Sequence, residues 1–86
     1  MIMNINDIMI KVKQIIVSQT EKDDLDYYDL LLENGIDSVS MIEIIIDIEE
    51  AFEIVFDNTK LNYSLLRSIR SISEYAESVM NEGSSS

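Results

Sequence analysis

Residues 35–57 read GIDSVSMIEIIIDIEEAFEIVFD, and the spacing of their apolar residues predicts one long helix. At about 100° per residue, the apolar side chains of such a helix fall into two stripes. The first stripe has the spacing of a core-facing surface and comprises Met41, Ile44, Ile45, Ile48 and Phe52. The second lies on nearly the opposite side and comprises Val39, Ile42 and Ile46. No single small core can cover both stripes.

The second stripe is bordered by acidic residues, namely Glu43, Glu49, Glu50 and Glu53. Carboxylates are costly to bury without partners, and the chain has only 6 Lys and Arg residues. We therefore expect the second stripe to be an exposed apolar patch that docks proteins with a basic rim. The alternative is that it forms a looser part of the core.

Length and composition limit the activities that the chain can have. Its 86 residues are enough for one small domain, which we place at residues 1–80, followed by a disordered tail at 81–86. The chain has no cysteine and no histidine, which removes disulfides, the usual zinc ligands and the commonest general base. We therefore expect no metal site, no catalytic residues and no enzyme activity of its own.

The charge of the chain is strongly acidic, with 17 Asp and Glu residues and a formal net charge of -11. This charge argues against binding to nucleic acid or to an anionic membrane. No apolar run is long enough to insert across a bilayer, and the N-terminus lacks the features of a signal peptide. The expectation is a cytoplasmic monomer whose partners present basic surfaces.

The segments before the long helix predict another helix and a long connection. Apolar residues at helical spacing predict a first helix over about residues 5–17, with Asn6 and Asp7 near its start as a cap and an early negative charge. Residues 18–37 are mostly polar and predict a connection with a short turn near 30–33. Isolated apolar residues should anchor this connection, namely Leu25, Tyr28, Leu31 and Leu32.

The segments after the long helix predict two more helices. A polar break at 58–60 precedes a brief third helix at about 63–67. Ser71 and Glu74 have capping-box spacing and predict the start of a last helix that ends near Met80. The expected fold is all-α: a small four-helix bundle of three main helices plus a short third helix. Its core would use the first helix, one face of the long helix and the last helix.

The start of the long helix gives one serine a special position. Gly35 is expected to adopt a positive φ that turns the chain into the helix. Asp37 or Ser38 can cap the helix, and Ser40 with Glu43 also has capping-box spacing. With a cap at Asp37 or Ser38, Ser38 lies at the positive end of the helix dipole, where a phosphate on its hydroxyl is favoured.

The sequence Gly-Ile-Asp-Ser-Val at 35–39 resembles acyl carrier proteins, whose signature is Asp-Ser-Leu at the start of the second of four helices. The resemblance continues where carrier proteins show the same apolar and acidic pattern, namely at 42–45, Glu49, Glu50, Phe52 and Ile54. It covers nearly the whole chain and implies a four-helix bundle of the acyl-carrier type.

This resemblance implies that a phosphopantetheinyl transferase attaches 4′-phosphopantetheine from coenzyme A to Ser38, beside the motif acid Asp37. The thiol of that group would carry acyl intermediates as thioesters to acyl-loading, condensing and other acyl-processing enzymes of fatty-acid, polyketide or related biosynthesis. The resemblance also implies a set of partner-binding residues on the long helix, namely Val39, Ile42, Glu43, Ile46, Glu49 and Glu50.

The chain departs from the family pattern at three positions. Val39 stands where leucine is usual, Ser40 where an acid is common, and Asp57 near where a proline often follows the helix. These departures leave the pathway and the cargo open. The alternatives are an aminoacyl or peptidyl carrier, and an unmodified acidic helical module for protein–protein interaction in which Ser38 is an ordinary cap.

Overall fold

The computed structural model of the protein describes residues 4–56 and 63–84, and in these ranges all regular secondary structure is helical. The elements in chain order are helix α1 (Ile5–Thr20), a 3₁₀ turn (Leu32–Asn34), α2 (Ser38–Phe52), α3 (Tyr63–Leu66) and α4 (Ile69–Ser84). The predicted all-α fold, with three main helices and a short third one, is confirmed.

The N-cap of helix α1 lies two residues before the position that the sequence suggested. The side chain of Asn4 accepts a hydrogen bond from the backbone N–H of Asp7 at 2.9 Å, so Asn4 is the cap and Asn6 lies inside the helix. Asparagine is a favourable N-cap residue at either position, so only the backbone conformation decides which of the two caps the helix. Asp7 lies in the first turn, where its charge complements the helix dipole as predicted.

Helices α1 and α2 both end at a glutamate in the left-handed conformation, Glu21 at φ 60° and Glu53 at φ 56°. Such a residue lets the following N–H groups bond back to the last carbonyls, and the Ile54 N–H donates to the Glu49 carbonyl at 3.0 Å. The prediction that α2 reaches residue 57 is therefore wrong. Phe56 continues the apolar pattern, but it enters the core from a non-helical segment.

The core lies between the three long helices, with α1 packed against both α2 and α4, and α3 against α4. The helices contribute Ile8, Met9, Val12, Ile16, Met41, Ile44, Ile45, Ile48, Ile69, Ile72 and Ala76. The connecting segments contribute Leu25, Leu31, Ile36 and Phe56. The first apolar stripe therefore faces the core as predicted, with Phe52 partly buried at its edge.

The long connection between α1 and α2 is fixed to the junction of α3 and α4. The Leu31 N–H donates to the Arg67 carbonyl at 2.8 Å, and the Arg70 N–H donates to the Tyr27 carbonyl at 2.9 Å. Leu25 and Leu31 are buried anchors as predicted, but Tyr28 and Leu32 are exposed. In each pair of neighbouring apolar residues, Tyr27–Tyr28 and Leu31–Leu32, the turn directs only the first inwards.

Helix α4 is capped by a different serine from the one that the sequence suggested. The Ser68 hydroxyl accepts from the Ser71 N–H at 3.2 Å, and the Ser71 hydroxyl accepts from the Ser68 N–H at 3.0 Å. Glu74, the expected capping partner of Ser71, instead pairs with Arg70 at 3.3 Å.

The helix continues past Met80 to Ser84, through residues that the sequence analysis assigned to a tail. The apolar periodicity that predicted the helix stops at Met80, so the pattern carried no signal for this last turn. Residues 85 and 86 of that tail, the polar break at 58–60 and Asp57 lie outside the described residues.

Candidate functional site

The turn formed by Gly35, Ile36, Asp37 and Ser38, here called the GIDS turn, carries the chain from the 3₁₀ turn into α2. Gly35 has a φ of +89°, which confirms the predicted left-handed position. The Ile36 N–H donates to the Leu31 carbonyl at 3.1 Å, and the Ile36 side chain is buried. The turn is thus anchored on its core side, whereas Asp37 and Ser38 are exposed.

Asp37 is the N-cap of α2, which decides between the three caps that the sequence allowed. Its Oδ1 atom accepts a hydrogen bond from the Ser40 N–H at 2.8 Å. Hydrogen bonds from the backbone and the hydroxyl of Ser40, with another from the Val39 backbone, hold the pKa of Asp37 below its usual value because they favour the ionised form. The site therefore has a fixed negative charge at neutral pH.

Ser38 is the first residue of α2, and its side chain is exposed to solvent. The N–H groups of a first helical turn and the helix dipole favour a negative group attached at this position. The chain has no histidine that could activate the hydroxyl as a nucleophile. The geometry suits a hydroxyl that accepts a phosphate group from another enzyme.

The second apolar stripe of α2 is exposed, as the sequence predicted. Val39, Ile42 and Ile46 are 67%, 61% and 47% exposed, whereas Ile44 and Ile48 on the other face are fully buried. The interpretation of this stripe as a looser part of the core is therefore wrong. The stripe starts one residue after Ser38 and runs along the same helix.

The acidic residues around the stripe differ in their contacts. Glu43 and Glu50 are exposed, but Glu49 is half-buried and its Oε2 atom accepts the Phe56 N–H at 2.7 Å. Asp47 accepts a hydrogen bond from the side-chain amide of Gln19, which joins α2 to α1. Sequence reasoning missed both contacts, because the bond to Gln19 joins two helices that only the tertiary fold brings together and the bond to Phe56 depends on where α2 ends.

Within residues 4–56 and 63–84, no three acidic side chains converge closely enough to hold a metal ion. The helices described for this chain also include none that is both long and apolar enough to cross a bilayer.

The family model described as "Phosphopantetheine attachment site" matches residues 11–76. The chain belongs to this family. The match extends from α1 into α4 and includes the whole GIDS turn and all of α2. Members are phosphopantetheine carrier proteins, and 4′-phosphopantetheine is the group attached covalently at the site. No curated protein matches the chain.

As a phosphopantetheine carrier, the protein works with a phosphopantetheinyl transferase and with acyl-processing enzymes in general, and such domains are generally not catalysts themselves. The GIDS turn fits the group, because Ser38 is exposed and lies at the N-terminus of α2. The resemblance to carrier proteins drawn from the sequence is thereby confirmed.

Proposed function

We propose that the protein is an acyl carrier that bears its 4′-phosphopantetheine on Ser38. The observation that carries this proposal is the exposed hydroxyl of Ser38 at the first position of α2, beside an ionised Asp37 and inside the matched family region. When bound, the group supplies a thiol that holds acyl chains as thioesters, which explains how a chain without cysteine can serve in acyl chemistry.

Apart from Ser38, the serines of the matched region whose side-chain burial the structure describes are less suitable for attachment. Ser40 is half-buried and bonded to Asp37, and Ser73 is fully buried. Ser68 and Ser71 bond to each other at the start of α4. Ser18 is exposed, but it lies near the C-terminal end of α1, where the helix dipole disfavours a phosphate.

In the proposed loading step, the Ser38 oxygen forms a bond to the phosphorus of coenzyme A that bears the pantetheine. The bond from this phosphorus to the oxygen of adenosine 3′,5′-bisphosphate breaks, and a base of the transferase takes the hydroxyl proton. Asp37 holds the first turn of α2 in place through its bond to Ser40. The positive end of the α2 dipole offsets part of the negative charge that the new phosphodiester brings.

We further propose that partner enzymes dock on the exposed stripe of α2. An apolar patch of three residues ringed by carboxylates favours partners with a small apolar recess and a basic rim. Glu43 and Glu50 are free to face such a rim, while Glu49 also fixes the segment after α2 through Phe56. Val39, Ile42 and Ile46 would supply the apolar contact.

The two alternative functions, an aminoacyl or peptidyl carrier and an unmodified interaction module, differ in how well they agree with the family match. An aminoacyl or peptidyl carrier would use the same serine and differ only in cargo, so analysis of the loaded thioester distinguishes it from an acyl carrier. An unmodified interaction module would use the exposed stripe alone, but it does not account for membership in a family defined by phosphopantetheine attachment.

Intact-mass measurement after incubation with coenzyme A and a broad-specificity phosphopantetheinyl transferase tests the proposal. We expect a gain of one phosphopantetheinyl group per chain, followed by a further gain of one acyl group when an acyl-loading enzyme and its substrate are added. An unchanged mass under conditions that modify a control carrier would remove the proposal.

A further inference from the structure

Lys22 lies across the GIDS turn, although it is far from this turn in sequence. A Cβ atom on Gly35 would lie only 3.2 Å from Lys22 Cε and 3.3 Å from Lys22 Nζ. The Lys22 side chain therefore fills the space that a larger residue at position 35 would need. Its backbone N–H donates to the Thr20 hydroxyl at 3.3 Å, which fixes the start of the connection after α1.

The surroundings of this ammonium group are unusual for so acidic a chain. Helix α2 contains no Lys or Arg, and the residues leading into it include Glu33 and Asp37. In the described part of the chain, no carboxylate lies within ion-pair distance of Lys22, whereas Arg70 does pair with Glu74. Lys22 is a half-buried residue, and it brings a positive charge to Gly35 in the turn from which Ser38 emerges, with no carboxylate partner among the described residues.

A phosphodiester on Ser38 would create a charge problem at this turn. It would carry one negative charge directly beside Asp37, whose hydrogen bonds keep it ionised. Three peptide bonds separate Gly35 from Ser38, so their Cα atoms are at most about 11 Å apart. This upper limit is close to the screening length, which is about 8 Å at physiological salt and about 10 Å at 0.1 M, so salt would only partly screen the attraction between a cation over Gly35 and a phosphate on Ser38.

We propose that Lys22 is the counter-charge of the phosphodiester on Ser38 and draws the phosphate toward the Gly35 side of the turn. This inference rests on the proposed attachment at Ser38. It makes Lys22 a positioning residue, because it acts on the attached group and not on the chemistry of the cargo.

Phosphorus NMR of the loaded protein tests the inference, since the phosphodiester would be its one phosphorus atom. We expect Lys22→Gln to shift the ³¹P signal by more than its line width, and Lys22→Arg to keep the wild-type position. Lys11→Gln is the matched control, because Lys11 is an exposed lysine of α1, and it should leave the signal unchanged. Added salt should move the wild-type signal toward that of Lys22→Gln, because screening weakens the attraction.

The outcomes distinguish a failure of the proposed attachment from a failure of the role of Lys22. A chain that accepts no phosphopantetheine overturns the proposed function and this inference together. A chain that is loaded at Ser38, but whose ³¹P signal is the same in wild type and Lys22→Gln, overturns the role of Lys22 alone. Equal shifts in Lys22→Gln and Lys11→Gln also overturn it, because the effect is then one of net charge and not of position.

Discussion

Ile42 and Ile44 offer a matched pair for testing the two faces of α2, because they are the same residue on the same helix with opposite exposure. Ile44 is fully buried, whereas Ile42 is 61% exposed. Truncation of a buried isoleucine to alanine removes buried methyl and methylene groups and leaves a cavity, at a cost of about 2–5 kcal/mol. A domain of 86 residues has a total stability of about 4–13 kcal/mol. Ile44→Ala should therefore remove a large part of it.

Ile42→Ala should change the free energy of unfolding by less than about 1 kcal/mol, because most of the side chain is already in water and alanine has the higher helix propensity. Thermal unfolding followed by circular dichroism distinguishes the two variants, since each kcal/mol of lost stability lowers the Tm of a domain this small by roughly 4–8 °C. Ile44→Ala should lose at least about 8 °C, and Ile42→Ala only a few degrees.

The same pair should respond in the opposite order when loading by a phosphopantetheinyl transferase is measured. Ile42→Ala should lower kcat/KM because it removes apolar contact at the docking surface, whereas Ile44→Ala, assayed well below its Tm, should load nearly as wild type does. Equal losses of Tm in the two variants would refute the assignment of faces. Unchanged loading of Ile42→Ala would refute docking of the transferase on this stripe.

Ser73 and Ser68 lie at the start of the same helix but should respond to alanine with opposite signs. The Ser73 hydroxyl is fully buried with no hydrogen-bond partner among the described residues, so Ser73→Ala should raise the free energy of unfolding by about 1 kcal/mol. Ser68→Ala removes a cap and should lower the free energy of unfolding by about 1 kcal/mol. Denaturant unfolding measures both, and a destabilised Ser73→Ala would show that the hydroxyl contributes a favourable contact. Glu50→Lys should slow loading by the transferase and reduce its sensitivity to salt, because exposed rim charges mainly steer association; an unaltered salt dependence would place the docking surface elsewhere. The net charge of -11 predicts that Tm rises with sodium chloride, and sooner with magnesium chloride at matched chloride, and a flat series would mean that self-repulsion does not limit stability.

The faces of α2 could be predicted from the sequence because helical periodicity is a local property. Every apolar residue from Val39 to Ile48 falls on the face that its spacing assigns. The end of α2 could not be predicted, because Ile54 and Phe56 continue the apolar pattern after the helix has stopped. The left-handed Glu53 and the bond from the Phe56 N–H to Glu49 end it, and no local pattern marks either feature.

The N-caps of α2 and α4 could not be predicted from the sequence either. Three caps satisfied the sequence rules at α2, and the backbone chooses Asp37. At α4, Ser68 and Ser71 cap each other, although Ser71 and Glu74 also had the required spacing. The position of Lys22 over Gly35 was beyond prediction, because it depends on how the long connection folds back on itself.

The most direct test of the account is to load wild type, Ser38→Ala and Ser40→Ala with phosphopantetheine under identical conditions and to measure their intact masses. Ser40→Ala is the matched control, since it changes a neighbouring serine in the same first turn of α2. The account predicts that wild type and Ser40→Ala each gain one group, and that Ser38→Ala gains none while keeping its helical circular dichroism spectrum. Loading that persists in Ser38→Ala, or that is lost in a folded Ser40→Ala, would contradict it.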